Sequence, residues 1–294
     1  MGGDYARHAA VVMASVWTHA SRPVCFHVLH DDTLTGLNRQ LLGQMAADFG
    51  RQICWHRMDS QTVRDLPHCG AFTKGSLYRL YLPRLLEGDK VLYLDCDVVC
   101  ELDIAELWDA PLGGLALGAV REQGIHGWPV AVKRKVALLG LKLDEYFNSG
   151  VLAIDLRWLR DNGRDLAAEF AAFQLNHPAD PFPDQDFLNW TYQSRCCLLP
   201  EKFNRMVSCL ENATESATQP AILHFSGNKP WQRYENQCTA KYWQVMLKTP
   251  WRREAAKGLE VINAERERIL TSSCWRLTTP YRRCGDWLKQ TKLR

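Results

Sequence analysis

The segment Lys90–Val99, KVLYLDCDVV, constrains this chain more than any other. Lys90–Leu94 is almost continuously apolar and reads as a strand at the buried centre of a sheet covered by helices. It runs directly into two carboxylates, Asp95 and Asp97. Side chains two apart on a strand face the same way, so the pair can converge on one cation. Open α/β sheets bind ligands beyond the carboxyl ends of their strands. Carboxylate oxygens suit Mg2+ or Mn2+ held together with substrate phosphates. Two other readings stay open here. One is a solvated acidic turn. The other is a phosphatase of the D-x-D-x-T kind, although Val99 stands where its Thr would be.

The rest of the chain alternates short β-rich runs with longer helical ones, which argues for an α/β fold. Strands are expected at Val24–Leu29, Gln52–His56, Leu115–Val120, Phe147–Asp155 and Ile222–Phe225. Helices are expected at Ala9–His19, Leu34–Phe49, Val130–Leu139, Asp161–Asn176 and Asp184–Tyr192, with Ser76–Leu86 helical until Pro83 interrupts it. Three prolines make His177–Pro183 a loop. The body is expected to close near Trp231–Leu247, giving a catalytic unit over 1–250 and a helical tail over 251–294.

Apolar residues make up 46% and charged residues 23% of the 294, which excludes global disorder and a fibrous repeat. No apolar run approaches the ~18 residues of a membrane span. The opening MGGDYARH has no signal-type apolar core, an argument against secretion. The 11 cysteines lack zinc spacings: there is no C-x2-C, and neither Cys196-Cys197 nor Cys96-x3-Cys100 recurs as a pair with nearby His. They read as free, mostly buried thiols.

Three further motifs carry chemistry. In Ile222–Trp231, ILHFSGNKPW, His224 leaves a strand, Gly227 permits close backbone approach and Lys229 offers a point charge for phosphate. A histidine there can be a third ligand to the same ion or a structural core residue. Phe147–Leu156, FNSGVLAIDL, brings the amide of Asn148 into a buried strand. Pro183–Asn189, PDQDFLN, sets Asp184, Gln185 and Asp186 at a helix start, where acidic residues are also favourable as caps.

In this order and at these distances, the four motifs resemble the retaining nucleotide-sugar glycosyltransferases of family 8. The likeness is nearest to bacterial lipopolysaccharide and lipooligosaccharide glucosyl- and galactosyltransferases, and runs from about Gly2 to Trp231. The resemblance implies a GT-A fold, a Rossmann-like α/β sheet with a divalent ion, usually Mn2+, at the D-x-D. It also implies a UDP-hexose donor, transfer with retention at the anomeric carbon, and a saccharide or glycolipid acceptor. It assigns Asp95, Asp97 and His224 to the metal, and Arg79 to a place beside the donor's sugar and diphosphate. Asn148 matches a sugar contact, Asp184 and Gln185 the residues beside the transferred hexose, Gly227 and Lys229 the diphosphate clamp, and Tyr5 a ring packed on uracil. The candidate catalytic residues are Gln185, Asp184 and Arg79.

The start departs from the family pattern. Relatives begin with an apolar strand ending in Asp; here that Asp falls on Gly2, no strand precedes it, and Asp4 is a partial substitute. The expectation is that the first strand is missing, or that the true start lies upstream. A catalytically weak or inactive sugar-nucleotide- or membrane-binding protein is therefore the alternative reading. A soluble self-glucosylating primer protein is a weaker one, which the basic tail disfavours.

Residues 251–294 hold 11 Lys/Arg against 5 Asp/Glu. Trp275, Leu277, Tyr281, Trp287 and Leu288 alternate there with Arg276, Arg282, Arg283 and Lys289. Such a mix suits an anionic membrane surface, and the expected location is peripheral, on the cytoplasmic face of the inner membrane. A basic helix packed on the body is the competing reading. No nucleic-acid recognition fold accompanies the charge.

Overall fold

The computed structural model describes residues 2–58, 61, 63, 74–177, 182–210, 219–232 and 237–271. A 3-10 turn, Gly3–Tyr5, leads into α1 (Ala6–His19), β1 (Phe26–His30), α2 (Gly36–Asp48) and β2 (Ile53–Arg57). After α3 (Lys74–Leu77) and α4 (Leu82–Leu85) come β3 (Lys90–Leu94), β4 (Val98–Cys100), α5 (Ala105–Trp108) and β5 (Leu117–Arg121). Next are α6 (Val130–Leu138), β6 (Phe147–Asp155), α7 (Leu156–Asp161), α8 (Leu166–Asn176) and α9 (Pro183–Tyr192). The strands β7 (Cys196–Leu198), β8 (Arg205–Met206) and β9 (Ile222–His224) precede α10 (Gln237–Met246) and α11 (Arg252–Thr271).

The strands form three sheets: β1-β2, β3-β6-β5-β7 and β4-β9-β8. The first is a parallel pair, and in the second β6 runs antiparallel to both β3 and β5. Helix α1 joins the layers. Eleven of its 14 residues are buried, as expected of a helix that is apolar nearly all round. Ala10, Met13 and Trp17 pack with Val28 of β1, Val12 and Val16 with Val98 and Cys100 of β4, and Val11 with Val99. Its one buried hydroxyl is satisfied: Ser15 Oγ donates to Val12 O at 2.8 Å and accepts from Cys100 N at 3.0 Å.

Three expectations are corrected. β3 is an edge strand of its sheet, and every residue in it is only half-buried. Asp95–Asp97 is not strand but the turn by which the chain crosses from one sheet to another. The helix expected over 161–176 starts only at Leu166, because Asp161 ends the preceding α7: Gly163 takes φ +62°, and Asp165 caps α8 by accepting from Ala168 N at 3.2 Å.

Among the described residues no strand pairing joins the β1-β2 sheet to the sheet of β3. β1 and β3 instead line one cavity of about 1260 Å³, which continues past Asp95 to Gly227 and Lys229. No described helix is long and apolar enough to cross a membrane. α11 is helical as expected for the start of the tail, whereas residues 272–294 lie outside the described part.

Candidate active site

The crossing from β3 to β4 places two carboxylates at the mouth of the cavity. β4 pairs antiparallel with β9, matching Val98 to His224. That register sets His224 beside Asp97, and the ladder continues as Phe225 N donates to Asp97 O at 3.0 Å. Past β9 the chain turns at Gly227, φ +87°, in the left-handed region that favours glycine. The turn returns Lys229 to the acidic pair, where its Nζ donates to Asp97 Oδ2 and, at 3.1 Å, to Phe225 O.

Arg79 is buried behind this cluster and held by five neighbours. It donates to Ser76 O at 2.8 Å, to Ser149 O at 2.5 Å and to Asp95 Oδ1 at 2.9 Å. Its Nη2 lies 3.5 Å from Asp184 Oδ2, and its guanidinium sits 4.2 Å from the centre of the Tyr93 ring. Tyr93 adds its hydroxyl to Asp95 Oδ1 at 2.5 Å.

A chain of buried amides runs from β6 to the histidine. Asn148 Nδ2 donates to Glu122 Oε2 at 3.0 Å and to Gln185 Oε1 at 3.1 Å. Its Oδ1 accepts from Gly150 N and from Asn204 Nδ2, both at 2.9 Å. Asn204 Oδ1 in turn meets His224 Nδ1 at 2.9 Å. An amide oxygen can only accept, so Nδ1 carries the proton when the ring is neutral and Nε2 presents its lone pair to the acidic pair. Gln185 Oε1 also accepts from Ser149 N at 3.0 Å, and Asp184 Oδ2 accepts from Ser149 Oγ at 3.3 Å.

Burial and neighbouring charge push the two carboxylates apart. Burial would raise Asp97, but His224 and Lys229 hold it well below the usual carboxylate range. Asp95 moves up: burial outweighs the lowering effect of Arg79, and the charge of Asp97 adds to the rise. Burial opposes a charged His224, yet Asp97 raises it above the ordinary histidine value.

The residues fit a divalent cation on three observations. One ligand atom from each of Asp95, Asp97 and His224 lies within 4.8 Å of the other two. Asp97 Oδ1 is buried and makes no hydrogen bond, with His224 Nε2 3.4 Å away. The strand beneath is cut back to glycine: a Cβ on Gly150 would stand 2.3 Å from His224 Cε1 and 2.9 Å from Asp95 Oδ2.

The sequence over residues 1–235 matches the family described as glycosyl transferase family 8.

The chain belongs to glycosyl transferase family 8.

A lipopolysaccharide 1,2-glucosyltransferase of Escherichia coli is 28% identical over 270 residues, covering 85% of this chain and 77% of that protein. General stress protein A of Bacillus subtilis is 26% identical over 271 residues, covering 84% of this chain and 91% of that protein. Among solved structures, the galactosyltransferase LgtC in complex with donor and acceptor sugar analogues superposes with a TM-score of 0.71. It is 24% identical, over 85% of this chain and 94% of that one. The fold is therefore GT-A, as the resemblance implied.

In this family 8 chain, Tyr5, Arg79, Asp95, Asp97, Asn148, Asp184, Gln185, His224, Gly227 and Lys229 all line the one cavity. The side chain of Asp4 lies outside the described part. Asn148, expected as a sugar contact, has both polar atoms engaged by protein and acts as the hub of the amide chain. Asp186 is structural: it accepts from Tyr146 Oη at 2.6 Å and from Phe182 N at 2.9 Å. Sequence reasoning missed Glu122, Ser149, Gly150 and Asn204. Only the Asn-Ser-Gly entry to β6 offered a signal for two of them.

Tyr5 is 41% exposed and stands edge-on to Trp231, with ring centres 6.3 Å apart. Behind it His8 stacks on Trp231 at 3.6 Å and bonds Tyr242 Oη at 2.6 Å. Burial, helped by Arg7, lowers His8 to about 3. The unfolded chain therefore binds this proton first as pH falls below 6.5, and folding stability drops. At pH 5 the loss is ~2 kcal/mol at 1.36 kcal/mol per unit. Denaturant unfolding at pH 7 and 5 should show His8→Gln losing about that much less than wild type; equal losses would refute it.

Proposed function

We propose that this chain transfers glucose or galactose from a UDP-hexose, with retention at the anomeric carbon, to a saccharide acceptor. The acceptor class is lipopolysaccharide or lipooligosaccharide core, or another lipid-linked glycan. The observation that carries this is the convergence of Asp95, Asp97 and His224 with Lys229 and Arg79 in one cavity. The names of the relatives support the hexosyl and lipopolysaccharide parts. The intact acid–histidine cluster speaks against the inactive reading.

Asp95, Asp97 and His224 would hold Mn2+ or Mg2+, which supplies charge neutralisation at a departing diphosphate. Lys229 brings a second positive charge to the same place, on a turn that Gly227 keeps close to the site. Tyr5 offers a ring for uracil. Arg79 holds Asp95 and Asp184 in place. An amide is a poor nucleophile, and Gln185 Oε1 already accepts from Asn148 and Ser149. Asp184 Oδ2 is shared by Ser149 and Arg79. Both residues are held as orienting groups. This arrangement favours front-face attack, with an oxygen of the leaving phosphate taking the acceptor's proton.

The test is UDP release from UDP-glucose and UDP-galactose with Mn2+ and with EDTA, followed by NMR of the product anomer. No turnover with either donor sinks the activity, and an inverted product sinks retention.

Asn204 orients the histidine, so Asn204→Ala should weaken activation by Mn2+ by ~10–100-fold, the range for supporting partners of metal ligands. A Mn2+ titration of donor hydrolysis reads this; an unchanged midpoint would rule it out.

The tail reading is also a proposal. Residues 265–294 carry 8 Lys/Arg against 3 Asp/Glu. Each basic residue near an anionic surface contributes roughly 1 kcal/mol. Deleting them should leave donor hydrolysis intact and release the protein from anionic liposomes, with full-length binding weakening as salt rises. Equal sedimentation of both proteins would make the tail a packing element.

A further inference from the structure

A second cluster of ligand-type side chains lies on β1 and β2, built from a motif that occurs twice. Cys25-Phe26-His27 and Cys54-Trp55-His56 are both Cys-x-His with an aromatic residue between. Alternation along a strand puts Cys25 and His27 on one face and Cys54 and His56 on the same face of the neighbour. The opposite face carries Phe26, Val28, Ile53 and Trp55, which pack on α1 and α2. The parallel register matches His27 to Cys54 and Leu29 to His56, so the two motifs are staggered by two residues, with Cys25 diagonal to Cys54 and His27 diagonal to His56.

The distances are those of a ligand set. Cys25 Sγ and Cys54 Sγ are 3.4 Å apart, and His27 Nδ1 and His56 Nε2 are 2.9 Å apart. Ligand atoms of Cys25, His27 and Cys54 lie within 4.8 Å of one another. A tetrahedron with Zn–S of ~2.3 Å and Zn–N of ~2.0–2.1 Å has edges of roughly 3.3–3.8 Å. His56 lies outside that group of three and reaches it through His27, so its ring must turn inward to complete the shape.

We propose that Cys25, His27, Cys54 and His56 form a tetrahedral site for a thiophilic divalent ion, Zn2+ by its chemistry, which fastens β1 to β2. Two thiolates and two imidazoles select such an ion over Mg2+ or Mn2+, which prefer oxygen. This site is therefore chemically distinct from the Asp95–Asp97–His224 cluster. Binding deprotonates both thiols, forming two metal–sulfur and two metal–nitrogen bonds and releasing two protons. The benefit is local. Among the described residues β1 and β2 form a sheet of two strands, packed on α1 and α2 by one face, and a bound ion would join the strands on the other. Cys25, His27 and His56 also line the cavity, so a bound ion would brace its wall.

The experiment uses the full chain, reduced, freed of metal and kept in excess Mg2+. It is titrated with Co2+, whose thiolate complexes absorb in the near ultraviolet and whose tetrahedral complexes have intense visible bands. One equivalent should produce both sets of bands with release of about two protons, and Zn2+ should then bleach them without further proton release. Zn2+ should also raise the thermal midpoint. A Cys25→Ser/Cys54→Ser double variant should lose the bands and the Zn2+-dependent rise while keeping the thermal midpoint of the metal-free wild type. His56→Gln should keep the sulfur band and shift the visible ones. Absence of a thiolate band, or the same band in the double variant, would overturn the proposal. So would a Cys25–Cys54 disulfide, seen as a mass loss of two hydrogens, that persists in reductant.

Discussion

Replacing Asp97 by Asn is expected to lower UDP-hexose turnover at saturating Mn2+ by ~10³-fold or more while the protein stays folded. The substitution keeps the shape of the side chain and removes its charge. Asp97 is the group on which Lys229 and His224 both converge, and one of its oxygens is buried with no hydrogen-bond donor. A neutral amide there weakens the ligand set and places an NH2 or a neutral oxygen where a charge is wanted. The backbone is untouched: Asp97 O still accepts from Phe225 N, and the β4–β9 ladder stands. UDP release and a thermal melt, measured on one preparation, check both halves. Turnover near wild type would remove Asp97 from the metal site, and a collapsed melt would make its role structural.

Lys229→Ala is expected to reduce kcat by ~10²–10³-fold and to change UDP affinity much less. An ammonium aimed at a departing diphosphate helps most where negative charge develops. Lys229 reaches the site from a turn and is partly exposed, so its loss leaves no unfilled core. Steady-state kinetics with direct measurement of UDP binding separates the two effects. A rise in KM with kcat unchanged would restrict Lys229 to holding the ground state.

The candidate cluster was legible where a side chain's proposed role follows from its own strand. An apolar run ending in Asp-x-Asp, and a His-containing strand followed by Gly and Lys, announce themselves locally. The reason for their meeting was not legible. Asp95 and Asp97 converge through a turn between two sheets rather than through strand alternation. His224 reaches them through a pairing with β4, a strand of three residues, too short to show any period. β7 and β8 escaped for the same reason. β3 looked like a sheet centre because its residues are apolar, yet in the sheet it forms an edge. Asn204 and Glu122 act only through other side chains, and nothing in their flanking sequence marks them. The paired Cys-x-His triplets were present in the sequence, but the spacing sought for zinc was C-x2-C along one segment. Two parallel strands supply the ligands across a register instead.

Gly150 gives the site an unusual kind of fragility. Mutational scans locate important positions by trimming a side chain and watching function fall. At Gly150 there is nothing to trim, and the smallest trim used elsewhere, alanine, is here an addition. The new methyl would occupy the space of the His224 ring, 2.3 Å from Cε1. To make room the imidazole would have to swing off Asn204 and away from the carboxylates, although no ligand, base or clamp had itself been altered. The tolerance of the whole cluster is thus set by an atom the protein does without. A library that varied only polar residues would overlook the position on which they all close.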